Sequence, residues 1–465
     1  MRTEREPERT EAPGKMYTRL VSSLLFPLHE RLKGYSTVRV RRFLERSQWW
    51  SAEELAAYQV TRLRNLLIDV RSRVPYYRKL FDRIEFHPDR LTSVDDLSGL
   101  SLLTKELIRA NSEELKAEGA RDLARFNTGG STGEPLRFFT SKERVSHDVA
   151  AKWRATRWWG VDVGDPEVVV WGSPIELSAQ DRLRGWRDKM LRSHLLPAFE
   201  MSPEGLDRFV ETIRRVRPRM LFGYPSALAL IADHAESRGR CMADLGIEVA
   251  FVTAERLYGH QRERIERTFG CRVANGYGGR DSGFIAHECP EGSMHVTAED
   301  IVVEIVGRDG RVLPKGETGE VVVTHLATRE FPFVRYRTGD VAVLNESPCR
   351  CGRGLPVMTE IQGRTTDFVV AADGTVMHGL ALIYVIRDVA GIENFRIIQE
   401  DLKHVRVQLV TGPGFQEDAL ETIRSGLVRR LGPDVDVSVE RVSGISPTAS
   451  GKYQYVVSRV APTVG

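Results

Sequence analysis

Five cysteines in 465 residues are too few and too unevenly spread for a disulfide framework. Nothing therefore calls for an oxidising compartment, and a cytoplasmic location is expected. Long apolar runs are also missing. The longest candidate, 20–28, is interrupted by Ser22, Ser23 and Pro27 and falls short of the ~18 residues that cross a bilayer, so no transmembrane segment is expected. Neither sign of charge dominates, since 67 basic and 64 acidic side chains leave a net +3 and no global field that would draw the chain onto nucleic acid. Residues 1–15 are charged and contain prolines, and the apolar stretch behind them lacks a small-residue cleavage site. That predicts a disordered tail over 1–15 rather than a secretory signal. Segment 16–32 could touch a membrane surface, but packing against its own domain is the stronger expectation. Internal repeats and low-complexity tracts are absent too.

What is present suits an ordinary globular protein: 41% hydrophobic, 28% charged and 8% aromatic residues. The length suggests two or three domains. Apolar residues from Leu55 to Val74 recur near the 3.6 period and stop at Pro75, which predicts an amphipathic helix over 52–74. Between 167 and 275, strand-like runs (168–171, 220–222, 249–252, 271–274) alternate with helical ones (206–216, 227–235, 257–269), the signature of a largely parallel, helix-covered sheet. From 296 to 344 the pattern turns β-rich, with Asp309-Gly310 and Lys315-Gly316 as turn signals, and predicts a second, mostly antiparallel region. After Gln362 a small α+β unit is expected, with strands over 395–399 and 405–410, a helix over 419–431 and a final strand over 435–442. The fold class is thus α/β: a large domain over 16–362, then a small mobile α+β domain over 363–465.

The densest chemical signal is TGGSTGEP, 128–135. Gly129, Gly130 and Gly133 let backbone approach a phosphate closely, while Thr128, Ser131 and Thr132 can donate hydrogen bonds to its oxygens. The loop is not a Walker motif, because the closing Lys-Ser/Thr pair is missing. Alone, such a loop is more often a plain connector. Its company changes that: NGYGGRDSG (275–283), RYRTGD (335–340), QGRTTD (362–367) and PTASGK (447–452) follow in order. These motifs resemble, in order and approximate spacing, the adenylate-forming superfamily of acyl-CoA synthetases, peptide-synthetase adenylation domains and luciferase. VPYYRKLF (74–81), GYPSAL (223–228), Glu288-Cys289, GETGEVVVTHL (316–326) and CRCGRGLP (349–356) narrow the resemblance to the phenylacetate–CoA ligase-like branch, including its relatives in capsular polysaccharide synthesis.

The resemblance implies ATP, Mg²⁺ and a small carboxylic acid as reactants, and assigns roles by position. Asp340, at a tight Thr-Gly turn, would accept from both ribose hydroxyls. Tyr277, flanked by Gly276 and Gly278, would lay its ring on adenine. Arg335, Arg337 and Arg364 offer planar donors to phosphate or ribose oxygens. Asp281 stands where relatives carry a Glu that holds Mg²⁺. Lys452 would neutralise charge gathering on the α-phosphate. Thr366 and Asp367 stand at the hinge, where relatives often carry a charged residue first. Trp171, Phe222, Tyr224 and Pro225, with Trp153 and Trp158, could line an acyl pocket, although aromatics near strands are more often core. His147 and His194 read as solvated.

Cys289, His295, Cys349 and Cys351 form a soft ligand set suited to a closed, structural Zn²⁺ site, with four separate side chains as the alternative. Three functions stay open. The first is acid–CoA ligation through an acyl-adenylate. The second keeps adenylation but passes the acyl group to an amine, sugar, carrier protein or other nucleophile, because 370–380 departs from the loop expected of a coenzyme A ligase. The third is a nucleotide-binding interaction protein that has lost catalysis, against which Lys452, Asp340 and the Gly-rich loop speak. The acyl acceptor and a homodimeric state stay open as well.

Overall fold

The computed structural model describes residues 13–127, 136–171, 181–198, 201, 203–307, 309–362, 368–373, 376–387, 389–445 and 455–460. Helices α1 (Pro13–Leu20) and α2 (Phe26–Leu32), joined by a π turn over Val21–Leu25, lead into α3 (Thr37–Ser47) and the long α4 (Ala52–Arg73). Ser51 and Glu54 form a capping box that starts α4, and Val74 ahead of Pro75 ends it in an extended conformation. Helices α5 (Pro75–Arg83) and α6 (Lys105–Ala110) precede an antiparallel pair, β1 (Ala124–Asn127) and β2 (Arg137–Thr140), and then α7 (Lys142–Trp158).

The chain then alternates through β3 (Glu167–Trp171), α8 (Asp181–Leu191), β4 (Ser193–Pro197), α9 (Pro203–Val216), β5 (Met220–Gly223), α10 (Pro225–Ser237), β6 (Val249–Thr253), α11 (Gly259–Phe269) and β7 (Arg272–Gly279). Six antiparallel strands follow: β8 (Gly283–Glu288), β9 (Met294–Val296), β10 (Ile301–Val306), β11 (Thr318–His325), β12 (Tyr336–Leu344) and β13 (Val357–Gln362). The remainder holds β14 (Phe368–Val370), β15 (Val376–His378), α12 (Leu380–Arg387), β16 (Ile392–Gln399), β17 (His404–Thr411), α13 (Asp418–Leu431), β18 (Asp436–Arg441) and β19 (Val456–Ser458).

The β-rich stretch is antiparallel, as its pattern indicates, but it does not form a sheet of its own. It continues the parallel strands in one eleven-stranded sheet, ordered β10-β11-β12-β13-β9-β8-β7-β6-β5-β3-β4, because β8 folds straight back on β7. The sequence reading also missed β4 at the sheet edge and the helix α7. Strand 435–442 is not the last: β19 adds in parallel to β16, giving the four-stranded order β18-β17-β16-β19. A separate apolar core, from Val369 to Val456, packs this sheet against α12 and α13. Two larger cores cover the main sheet, one under α4 and α5, the other among α9, α10 and α11. Among the described residues no helix is long and apolar enough to cross a membrane.

Candidate active site and metal centre

β7 runs into a tight return to β8, and glycine is required there: a Cβ on Gly278 would lie 2.2 Å from the Gly283 carbonyl oxygen. The return carries Asp281, whose Oδ1 accepts from the Ser282 amide at 3.0 Å. Its Oδ2 accepts from Tyr336 Oη at 2.6 Å. A second pair crosses the same gap, with Tyr277 Oη donating to Asp340 Oδ2 at 3.0 Å. Both tyrosine–carboxylate pairs join the β7–β8 return to β12, yet four strand spacings separate β7 from β12 in the sheet. At about 4.8 Å per spacing a flat sheet would hold them roughly 19 Å apart, so the sheet must curl over on itself here.

β12 is shaped for this. Gly339 adopts φ +80°, the Asp340 amide donates to Thr338 Oγ1 at 3.1 Å, and Thr338 Oγ1 donates to the Val321 carbonyl at 2.9 Å. Register slips on both sides of the strand let it bend and turn Asp340 toward Tyr277. Asp340, Asp281 and Tyr277 are half-buried. Each Asp281 oxygen keeps a lone pair beyond its hydrogen bond, so the residue fits a divalent cation, held directly or through water.

One arginine is used differently from expectation. Arg335, buried at φ +51°, pairs with Glu304 at 2.9 Å and donates to the Leu100 carbonyl at 2.6 Å, which fixes the start of β12 and leaves it no role at a ligand. Arg337 pairs with Glu320 on β11 at 2.9 Å. His147 is not solvated: it is buried with Nδ1 2.5 Å from Asp300 Oδ1. Burial alone would lower its pKa, but the charge of Asp300 and its hydrogen bond together outweigh that and raise it. His194 is exposed, as expected. Beside His147, Arg154 and Glu299 form a fully buried pair at 2.7 Å that locks α7 to the loop before β10.

At the carboxyl ends of β3 and β5, Trp171 stacks on Tyr224 with ring centroids 4.3 Å apart, and Phe222 lies 5.9 Å from Trp171. Phe222 is buried among Ala155, Met220 and Phe251, as are Trp153 in the core beneath α7 and Pro225 in the first turn of α10. Trp171, Tyr224 and Trp158 of this set are half-buried rather than buried. Trp158 packs instead edge-on to His295, at 5.7 Å.

The Cys/His set does converge. Ligand atoms of Cys289, His295, Cys349 and Cys351 all lie within 4.8 Å of one another, with Cys289 Sγ 3.7 Å from Cys349 Sγ and Cys351 Sγ 3.2 Å from His295 Nε2. Zn–S bonds of about 2.3 Å and Zn–N bonds of about 2.0 Å would put tetrahedral S···S edges near ~3.8 Å and S···N edges near ~3.5 Å. The donor set fits that ion. His295 Nδ1 lies 3.3 Å from the Leu355 carbonyl, which fixes Nε2 as the ligating nitrogen. Burial pushes the Cys289 thiol up to about 12 and holds the His295 ring neutral, down to about 4. The Cys349–Cys351 loop docks on the end of α3, where a Cβ on Gly354 would meet the Trp50 carbonyl oxygen at 1.8 Å. Cys241 is exposed and Cys271 buried, away from the cluster.

Thr128, Gly129, Gly130, Ser131, Thr132 and Gly133 lie outside the described residues, between the paired strands β1 and β2, as do Arg364, Thr366, Asp367 and Lys452. What joins all these parts is the match of residues 124–327 to the AMP-binding enzyme family and of 369–459 to the CapK C-terminal domain. These two matches, with the relatives that follow, support the adenylate-forming superfamily and its phenylacetate–CoA ligase-like branch with CapK. Protein CapK of Staphylococcus aureus is 25% identical over 395 residues, 83% of this chain and 85% of that protein. The phenylacetate-coenzyme A ligase of Thermus thermophilus is 29% identical over 327 residues, 68% of this chain and 72% of that protein. Among solved structures, 2-hydroxyisobutyryl-CoA ligase in complex with 2-HIB-AMP and CoA superposes with a TM-score of 0.64 at 21% identity, covering 89% of this chain and 91% of that one. This is the fold of an adenylate-forming ligase. The sequence reading missed Tyr336, the partner of Asp281, because a tyrosine between two arginines carries no signal of its own.

Proposed function

We propose that this chain activates a small carboxylic acid with ATP and then passes the acyl group to coenzyme A. The acid's oxygen attacks the α-phosphorus, the bond to the β-phosphate oxygen breaks, and acyl-adenylate and pyrophosphate form. Asp340, oriented by Tyr277, accepts from the ribose hydroxyls, while the Tyr277 ring meets adenine. Asp281, oriented by Tyr336, faces the Mg²⁺ of the bound nucleotide. The Gly-rich loop 128–133 and Arg364 hold phosphate and ribose oxygens. Lys452, on the small domain 363–465 hinged at Thr366-Asp367, neutralises the charge developing on the α-phosphate. Trp171 and Tyr224 border the acyl group. The observation that carries this reading is the pair of tyrosine–carboxylate bonds across the curled sheet, Tyr277–Asp340 and Tyr336–Asp281. A structural Zn²⁺ at Cys289, His295, Cys349 and Cys351 completes it.

A second acceptor is favoured by one observation: the C-terminal match is to the CapK domain, and CapK aligns over more of the chain than the phenylacetate ligase does. In that reading adenylation is unchanged and the acyl group goes to an amine, sugar, carrier protein or other nucleophile. Pyrophosphate release across a panel of carboxylic acids, with and without coenzyme A, amines and sugars, decides both. Acid-dependent release is expected. Its absence with every acid would sink the adenylation reading, and stimulation by a non-thiol acceptor alone would replace coenzyme A.

A further inference from the structure

The segment α1–π turn–α2 is amphipathic on two sides. One side, with Val21 and Phe26, packs on Trp153 and Val163. The other exposes Met16 (69%), Leu20 (46%), Leu24 (57%), Leu28 (51%) and Leu32 (79%), far more large apolar surface than any other helix presents among the described residues. These residues recur every fourth position. In an α-helix turning about 100° per residue such a stripe would drift by about 40° per step, roughly 160° over four steps. The π turn at Val21–Leu25 inserts a residue and takes back about 100° of this, so the five side chains stay on one face.

Exposed charges along the segment are all cationic: Lys15, Arg19, Arg31 and Lys33. Its single acid, Glu30, is buried and accepts from Thr37 at 2.5 Å. Beyond the helix end, a cavity of about 660 Å³ is lined by Arg39, Arg46, Arg62 and Lys142, with Glu143 the one carboxylate among its described lining residues. No ion pair engages Arg39, Arg46 or Lys142 among the described residues, and Lys142 Nζ lies 3.6 Å from where a Cβ on Gly34 would stand. Residues 1–12 are polar and charged, with Met1 and Ala12 the apolar exceptions. A second copy packed symmetrically would set cations against cations.

We propose that this face lies on an anionic membrane surface, with the Met/Leu stripe at the acyl boundary and the flanking and cavity cations on lipid phosphates. The test is co-sedimentation of the full chain with phosphatidylcholine vesicles, with or without about a third phosphatidylglycerol. Binding to the anionic vesicles alone, weakened by salt, is expected. The Leu24→Ser/Leu28→Ser and Arg19→Glu/Lys33→Glu pairs should each lower it at least tenfold, while keeping the native near-ultraviolet circular dichroism. Failure of the unaltered chain to bind, equal binding by folded variants, or a dimer in sedimentation velocity that Leu24→Ser/Leu28→Ser dissociates without any vesicle binding would overturn the proposal.

Discussion

Tyr277 and Asp340 stand 63 positions apart and meet at 3.0 Å. If that pair receives the ribose, Asp340→Ala should weaken ATP binding about tenfold or more, since a hydrogen bond to a charged group is worth about 1.5–3 kcal/mol. Tyr277→Phe keeps the ring and should lose less, and Gly130→Val should exclude the phosphates by bulk. Isothermal titration with ATP reads all three, and unchanged affinity in folded variants would withdraw the nucleotide assignment. His287 makes a different prediction. Buried between Phe284 and Phe251 with neither ring nitrogen partnered, it is pushed down to about 3 by burial and then by the charge of Arg154. In the unfolded chain the same ring takes up a proton near pH ~6.5. Below that pH the unfolded state binds more protons, so stability is lost as pH falls from about 6.5 toward 3. His287→Phe keeps the packing and removes the proton site. Urea unfolding at pH 7 and at pH 5 should show the variant losing about 2 kcal/mol less between the two than the unaltered chain. Neither pairing nor burial of these residues is written in their neighbours, which is why the sequence named Tyr277 and Asp340 but passed over His287 and took His147 for a solvated group.

Among the elements, β13 and the loop ahead of it carry the clearest test. Purified protein should hold about one zinc per chain by elemental analysis. Cys351→Ser should lose it, and chelation should lower the melting temperature by freeing the 349–356 loop from α3. A metal-free protein of equal stability would leave the four residues as packing groups only. The ligand types and their Cys-x-Cys spacing were legible in the sequence. Their convergence was not, since Cys289 reaches Cys349 across 60 positions only because β9 pairs with both β8 and β13. Strands β3, β5, β6 and β7 and helices α9, α10 and α11 were legible because side-chain period and flanking breakers are local properties. β4 and α7 were missed for the complementary reason: β4 is a polar-tinged edge strand, and α7 buries charged residues such as Arg144 and Arg154 that read as surface.

At the scale of the whole molecule, the proposed alternation of the small domain predicts that the two half-reactions respond differently to one change. Lys452→Ala should lower acid-dependent pyrophosphate release about a hundred- to a thousandfold, the usual cost of a positioned donor to developing charge. Transfer from premade acyl-adenylate to the true acceptor should survive. Equal losses in both steps would argue against alternation, and no loss in the first would remove Lys452 from the chemistry. By itself the sequence determined the resemblance to the superfamily, the order of its motifs, the helix-and-strand alternation and the residue types of each candidate site. All of these are carried by side-chain identity over short spans. Tertiary structure alone decided that the antiparallel strands extend the parallel sheet and that Tyr336 orients Asp281. It alone decided that Arg335 is taken up by Glu304, and that a row of Met and Leu faces outward. Those outcomes depend on how far the sheet curls and which distant segments it brings within hydrogen-bond reach, a geometry no local stretch of the chain contains.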